Sequence, residues 1–235
     1  MTNLKNIKLS KDNKRMIFSL VMLFLAVLVT YKIPHDSYSV AQYLIKPINV
    51  GGGVLYLSGL IPLVIGLIGI IEFVNIERFA NKSKLLIFLL VVVIILPLMK
   101  WSLDFTRTNY YWIKQEKLGA VDIDKSDISL YSTNDKLTIT MTLDIKDYSR
   151  SSNEFKLRVY FPEALSEYTG SKTYESKCSY VTHGYRKILT VKESMVIDVK
   201  QDDINQIFSS RWSNEDVIYE LYDDNETIRI IDHGI

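Results

Sequence analysis

One cysteine and three histidines are the residues through which this 235-residue chain could do nucleophilic, acid–base or metal chemistry. Cys178 and His183 come nearest to a nucleophile with its base. Five apart on a strand, however, they point to opposite faces, because odd offsets change face. Cys178 therefore reads as an isolated small hydrophobe. His35 and His233 stand in other segments. With no His-x-x-x-His or Cys-x-x-Cys spacing, no zinc ligand set is expected. Asp122, Asp124 and Asp127 resemble the opening of a calcium loop. Asp127 stands where such a loop needs glycine, and Thr133 stands where it needs a bidentate acid, so a solvated acidic linker is the better reading. Asp223, Asp224 and Glu226 read as a charged hairpin tip rather than an ion site. No Gly-x-Ser-x-Gly elbow, Ser-x-x-Lys pair or phosphate-binding glycine loop occurs. No catalytic, cofactor or metal residue is assigned, and an enzyme is not expected.

Binding chemistry is better represented. Tyr168, Tyr174, Tyr180 and Tyr185 are interleaved with Ser, Thr, Gly, Lys and Arg over 168–186, the composition of an adhesive surface. They are candidate partner-binding residues; the competing reading packs their rings on the domain as an edge hairpin. Trp101, Tyr110, Tyr111 and Trp112 suit the membrane–water interface and are read as anchors there. Gly59, Pro62, Gly66 and Gly69 mark a possible helix-packing face, with Gly59 and Gly66 two helical turns apart. That face would meet a partner, a second copy, or the other helices of this chain.

The elements that must carry these residues separate by composition. Residues 1–99 hold ten Lys/Arg and four Asp/Glu, whereas 100–235 hold eighteen against twenty-three, so the net +1 is a cancellation. Three apolar stretches predict transmembrane helices at about 16–33, 50–74 and 85–103. The first has eleven Leu, Ile, Phe or Val residues in eighteen, worth about −3 to −7 kcal/mol toward insertion. A retained anchor is favoured over a cleaved signal, since no small-x-small site precedes Tyr31. Glu72, near the end of the second stretch, reads as a snorkelling interfacial carboxylate. Basic residues crowd the tail 1–15 and the 75–84 loop, while 34–49 has only Lys46. The positive-inside rule then puts the N-terminus in the cytoplasm and everything after the third span outside.

Beyond an aromatic juxtamembrane linker at 104–118, the texture becomes that of strands. Leu137, Ile139, Met141, Leu143 and Ile145 alternate with polar residues, and Phe155, Leu157, Val159 and Phe161 repeat the pattern. The polar 147–154 segment between them predicts a loop joining neighbouring strands. Further strands are expected at 127–132, 174–181, 186–192, 195–200, 217–222 and 227–231, with helical turns at 162–168 and 202–210. The fold class expected is a membrane protein with three transmembrane α-helices and an all-β extracytoplasmic domain at 119–235. That domain is read as a β-sandwich, of immunoglobulin-like topology in one version, without the Cys–Trp–Cys signature. Richness in Lys, Asn, Ile and Tyr suggests an AT-rich bacterial genome, hence a plasma membrane. The function expected is a non-enzymatic module that binds a partner protein or envelope component, in an accessory, sensor or immunity-type role. The alternative is an accessory subunit of a transporter or channel, packing through the second span. Expected partners are the lipid bilayer and a protein or second copy of the chain, with no nucleic acid.

Overall fold

A computed structural model describes residues 10–50, 53–133, 136–199, 207 and 215–233. It divides into two compact units. The first takes the described residues up to Tyr31, Ser39–Pro47 and Tyr56–Asp104; the second takes Lys32–Tyr38, the described residues of 48–55, and those from Phe105 onward.

The first unit is helical. Ser10 accepts from the Asn13 amide at 3.2 Å and caps α1, Lys11–Thr30. A short α2, Val40–Leu44, opens with a capping box between Ser39 and Gln42. Next comes α3, Leu60–Val74, extended backward by a 3-10 turn at Leu57–Gly59. The helix α4, Lys84–Leu90, continues through a π-helical segment, Val91–Ile95, into α5, Leu96–Lys114. That π segment coincides with the β-branched run Val91–Ile95, whose side chains crowd an α-turn. Three helices are long and apolar enough to cross a membrane: Lys11–Thr30, Leu57–Val74 and Lys84–Lys114.

Two boundaries differ from the sequence expectation. The second stretch begins later than residue 50, because β1, Ile48–Val50, turns back against β2, Gly53–Leu55. Gly51 and Gly52, expected to open that stretch, lie outside the described residues. The third helix runs on to Lys114, so 104–114 of the expected linker is helical.

Helices α1 and α3 pack closely and antiparallel. The Ser19 hydroxyl donates to the Gly69 carbonyl at 2.8 Å, and Gly66 faces the Ala26 Cβ. At the far end Arg15 pairs with Glu72 at 3.3 Å, and Arg78 donates to the Asn13 side chain at 2.9 Å.

The second unit holds a mostly antiparallel β domain. Strands β3 (Val121–Thr133), β4 (Lys136–Asp147) and β8 (Lys187–Asp198) form one sheet in the order β3-β4-β8. The other runs β10-β9-β5-β6, from β10 (Thr227–His233), β9 (Asp216–Tyr222), β5 (Glu154–Tyr160) and β6 (Thr173–Glu175). Strand β7, Tyr180–Val181, also pairs with β5. Leu137, Ile139, Met141, Leu143 and Ile145 are fully buried, as period-two alternation requires, at about 2 kcal/mol each. They join Phe155, Leu157, Val159, Tyr219 and Leu221 from the other sheet in one apolar cluster. Helix α6, Glu163–Thr169, matches the expected turn at 162–168, while 202–210 lies outside the described residues apart from Ile207.

Two strand expectations are corrected. β4 and β5 are not paired; the 147–154 loop carries the chain from one sheet to the other. The segments 186–192 and 195–200 fall largely in one strand, β8, which is unbroken through Glu193; Glu193 faces inward and accepts from two tyrosine hydroxyls, and Lys200 lies outside the described residues.

The Lys32–Tyr38 segment belongs to this unit. It bridges β10 at Asp36 and Ile231, and the Lys32 ammonium donates to the Ile123 carbonyl at 2.9 Å.

Candidate functional site

Where β4 ends, one carboxylate organises two loops. Asp147 is fully buried and accepts from the Ser149 amide at 2.8 Å, Asn153 Nδ2 at 2.9 Å and the Thr182 hydroxyl. Three donors satisfy a charge that burial would otherwise penalise. The carbonyls of this corner fix the second loop: Ser149 accepts from the Tyr185 amide at 2.8 Å, and Asp147 from the Arg186 amide at 2.7 Å. Only glycine fits at 184, since a Cβ there would lie 2.9 Å from the carbonyl oxygens of both Ser149 and Ser151.

The loops meet at the cost of backbone strain. Gly184, Tyr185 and Arg186 have φ of 61°, 54° and 62°. Two consecutive L-residues in the left-handed region cost about 1–2 kcal/mol each. The conformation turns Tyr185 outward, 59% exposed. Its ring stands edge-on to Trp112 with centroids 5.9 Å apart, and the Arg150 guanidinium lies 4.3 Å from the Trp112 ring. Trp112 Nε1 donates to the Tyr148 carbonyl at 2.9 Å, which holds the indole in place. Trp112, Arg150 and Tyr185 thus form one surface of the residue types that dominate binding hot spots, and Arg186 follows Tyr185 in the chain.

Behind it, Arg107 of α5 pairs with Asp122 of β3 at 2.5 Å, with side chains 9% and 5% exposed. The same guanidinium lies 4.3 Å from the Tyr148 ring and 5.7 Å from the Tyr111 ring. Breaking such a buried pair costs about 3–5 kcal/mol, so the C-terminal part of α5 is firmly part of the β domain.

The sequence candidates are distributed as follows. Tyr185 is in the surface. Tyr174 and Tyr180 are half-buried against the core and donate to Glu193, Tyr174 at 2.6 Å. Burial first, and then these bonds, push both phenols above their ordinary pKa. The Tyr168 side chain lies outside what the structure describes. Trp101 and Tyr110 are half exposed, while Tyr111 is 6% exposed. Trp112 lies about 14 Å along α5 beyond Leu103. Tyr111 meets the Tyr148 ring with centroids 6.2 Å apart, and with Trp112 it packs the end of α5 on the β domain. Gly66 and Gly69 pack on α1, Gly59 has nothing within 4 Å, and Pro62 lines a crevice of about 270 Å³ with Ala26 and Thr30.

The acidic groups are engaged elsewhere. Asp122 is the partner of Arg107, Asp127 accepts from the Ser129 hydroxyl at 2.7 Å, and the Asp124 carbonyl accepts from Lys32. Asp223 Oδ1 caps the amides of Asn225 and Glu226, as a hairpin tip does. His233 lies between Asp216 at 3.0 Å and Asp36 at 3.4 Å. Among the described residues no three His, Cys, Asp or Glu side chains gather as a metal site. Cys178 is exposed.

One further constellation escaped the sequence. On the outer face of the second sheet, Arg229, Glu220, Arg158 and Glu175 share one transverse row across β10, β9, β5 and β6. Glu220 bonds Arg158 at 2.5 Å and Arg229 at 3.0 Å, and Arg158 reaches Glu175 at 3.2 Å. Opposite charges alternate across neighbouring strands, an arrangement that stabilises a sheet, with Glu220 buried between the two arginines.

Neither a protein-family model nor a curated protein sequence matches the chain. Among solved structures it is similar over 49% of its length to a β-glucuronidase from Bacteroides uniformis, at 19% identity and TM-score 0.26. It is likewise similar over 49% of its length to a DUF3823 family protein from Bacteroides ovatus, at 14% identity and TM-score 0.24. The matches span 12% and 53% of those chains.

Proposed function

We propose that this chain is a non-enzymatic, three-span membrane protein whose β domain lies outside the cell and docks a partner protein or envelope component. In this reading the two sheets close as a sandwich, of immunoglobulin-like kind. The observation that carries the binding role is the strained turn at Gly184–Arg186. A domain needs no left-handed tyrosine and arginine to close a loop, and strain of this kind concentrates where a surface is used. Here it holds Tyr185 against Trp112, beside Arg150.

Two observations support the membrane part. The Arg15–Glu72 and Asn13–Arg78 contacts gather the start of α1 with the end of α3. The 32–38 and 48–55 segments belong with the β domain. Three successive crossings put these two groups on opposite sides of a bilayer.

The test is in two arms. In intact cells, a membrane-impermeant maleimide should label Cys178; labelling only after permeabilisation overturns the orientation. Cross-linking of the full chain followed by detergent extraction should recover a stoichiometric partner, lost in the Arg150→Ala/Tyr185→Ala double variant. Equal recovery by wild type and variant overturns the assignment of the surface.

A further inference from the structure

We infer that the Trp112–Arg150–Tyr185 surface takes a phosphate-bearing polyanion of the extracytoplasmic space, a proposal that rests on the orientation and surface argued above. The domain as a whole is acidic, with eighteen Lys/Arg against twenty-three Asp/Glu over 100–235. Its surface at this corner has the opposite sign. Arg150 comes from the β4–β5 loop, Arg186 from the strained turn, and Lys187 from the first position of β8, paired in register with Asp147. Arg150 and Lys187 are exposed and Arg186 is half-exposed. The carboxylate beneath them, Asp147, is fully buried and engaged by three donors. Asp122 is neutralised by Arg107, while Glu154, Asp223 and Asp224 line a crevice with Ser151, Ser152 and Asn153, residues that follow Arg150 in its loop. A local positive field on an acidic body selects for an anion and turns it toward this corner.

The chemistry favours phosphate. Two guanidiniums offer planar donor forks that match phosphate oxygens, and the aromatic rings hold one fork in place through its π-face. Three cations on two segments, Arg150 on one and Arg186 and Lys187 on the other, suit charges repeated along a chain better than a single compact anion. Lipid headgroups are the poorer source, because Trp112 stands about 14 Å along the helix beyond Leu103.

Inorganic polyphosphate is the probe, titrated against the full chain in neutral detergent by fluorescence anisotropy. Binding should weaken about twentyfold between roughly 50 and 200 mM salt, as expected for three neutralised phosphates. Arg150→Gln and Arg186→Asn should each weaken it at least tenfold; asparagine tolerates the left-handed backbone, so the second variant keeps the turn. Lys172→Gln, which removes a cation from the turn after α6, should leave binding unchanged. Equal affinity for poly-glutamate would assign the corner to carboxylate surfaces and overturn the phosphate inference. Binding only to phosphatidylglycerol vesicles, or equal binding by all variants, overturns it too. Should polyphosphate fail while Arg150→Ala/Tyr185→Ala still abolishes partner recovery, the docking surface stands and this ligand falls.

Discussion

Asp147 illustrates how much one side chain can decide. As a carboxylate it accepts from a backbone amide, an amide side chain and a hydroxyl. Its replacement by alanine leaves the Ser149 amide and one Asn153 Nδ2 proton without their acceptor, each costing about 1–3 kcal/mol, while the Thr182 hydroxyl keeps the Asn153 carbonyl. Asp147→Ala should therefore lower unfolding stability by about 2 kcal/mol or more, and hydrogen exchange should rise first at the Tyr185 and Arg186 amides. Unchanged protection there would show that the corner does not depend on the carboxylate. Glu175 is the contrasting case, an exposed acid held by neighbours. The Tyr222 hydroxyl foremost, and Arg158 after it, hold its carboxyl below the ordinary value of 4.5. A carboxyl depressed on folding stabilises above the ordinary value and loses that contribution as pH falls through its folded value. The difference in melting temperature between wild type and Glu175→Gln should thus be present near about pH 6 and shrink as pH is taken below the ordinary carboxyl value of 4.5. A difference that persisted in acid would mean that the hydrogen bonds, and not the charge, matter. Neither role was legible in the sequence. Asp147 and Glu175 are each one acid among many in polar stretches, and what distinguishes them is which strand lies alongside.

At the scale of elements, periodicity was readable and pairing was not. The alternation in 136–145 and 155–161 specified two strands with dry faces, and both exist. That they sit in different sheets depends on the Asp147 corner, a long-range feature with no local signature. Strand β8 was read as two pieces because Lys192-Glu193-Ser194 is polar, yet its alternation runs on, with Glu193 inward toward Tyr174 and Tyr180. The candidate surface was legible in part: Tyr185 and Trp112 stood out by type, whereas Arg150 is joined to them only by the fold. Among helices, small residues proved more informative. A Cβ at Gly69 would sit 2.9 Å from Leu23 Cγ and 3.1 Å from the Leu23 backbone nitrogen, so α1 and α3 would have to separate. At Gly59 nothing lies within 4 Å. Gly69→Ala should destabilise the helical unit by about 1–3 kcal/mol despite alanine's better helix propensity, while Gly59→Ala should be neutral to within about 0.5 kcal/mol. Thermal unfolding in detergent distinguishes them, and equal effects would mean that α1 is not seated on Gly69.

For the whole molecule, the charge partition of the sequence and the grouping of segments in the structure are independent arguments for the same alternation. Basic residues mark the tail and the 75–84 loop; the 34–49 loop lacks them, and the chain beyond the third helix is acidic overall. The structure groups the 32–38 and 48–55 segments with the domain formed after that helix, and α1 leads directly into the first of them. If all three helices cross, Leu44 and Cys178 must share one side, and Lys82 must occupy the other. Leu44 is 65% exposed and Lys82 is also exposed, so each accepts a cysteine without disturbing a core. In a Cys178→Ser background, Leu44→Cys should react with an impermeant maleimide in intact cells, whereas Lys82→Cys should react only once the membrane is opened. Reaction of both in intact cells would mean that the second helix does not span. Reaction of Lys82→Cys alone would invert the protein and place its β domain, with the Tyr185 surface, among cytoplasmic partners.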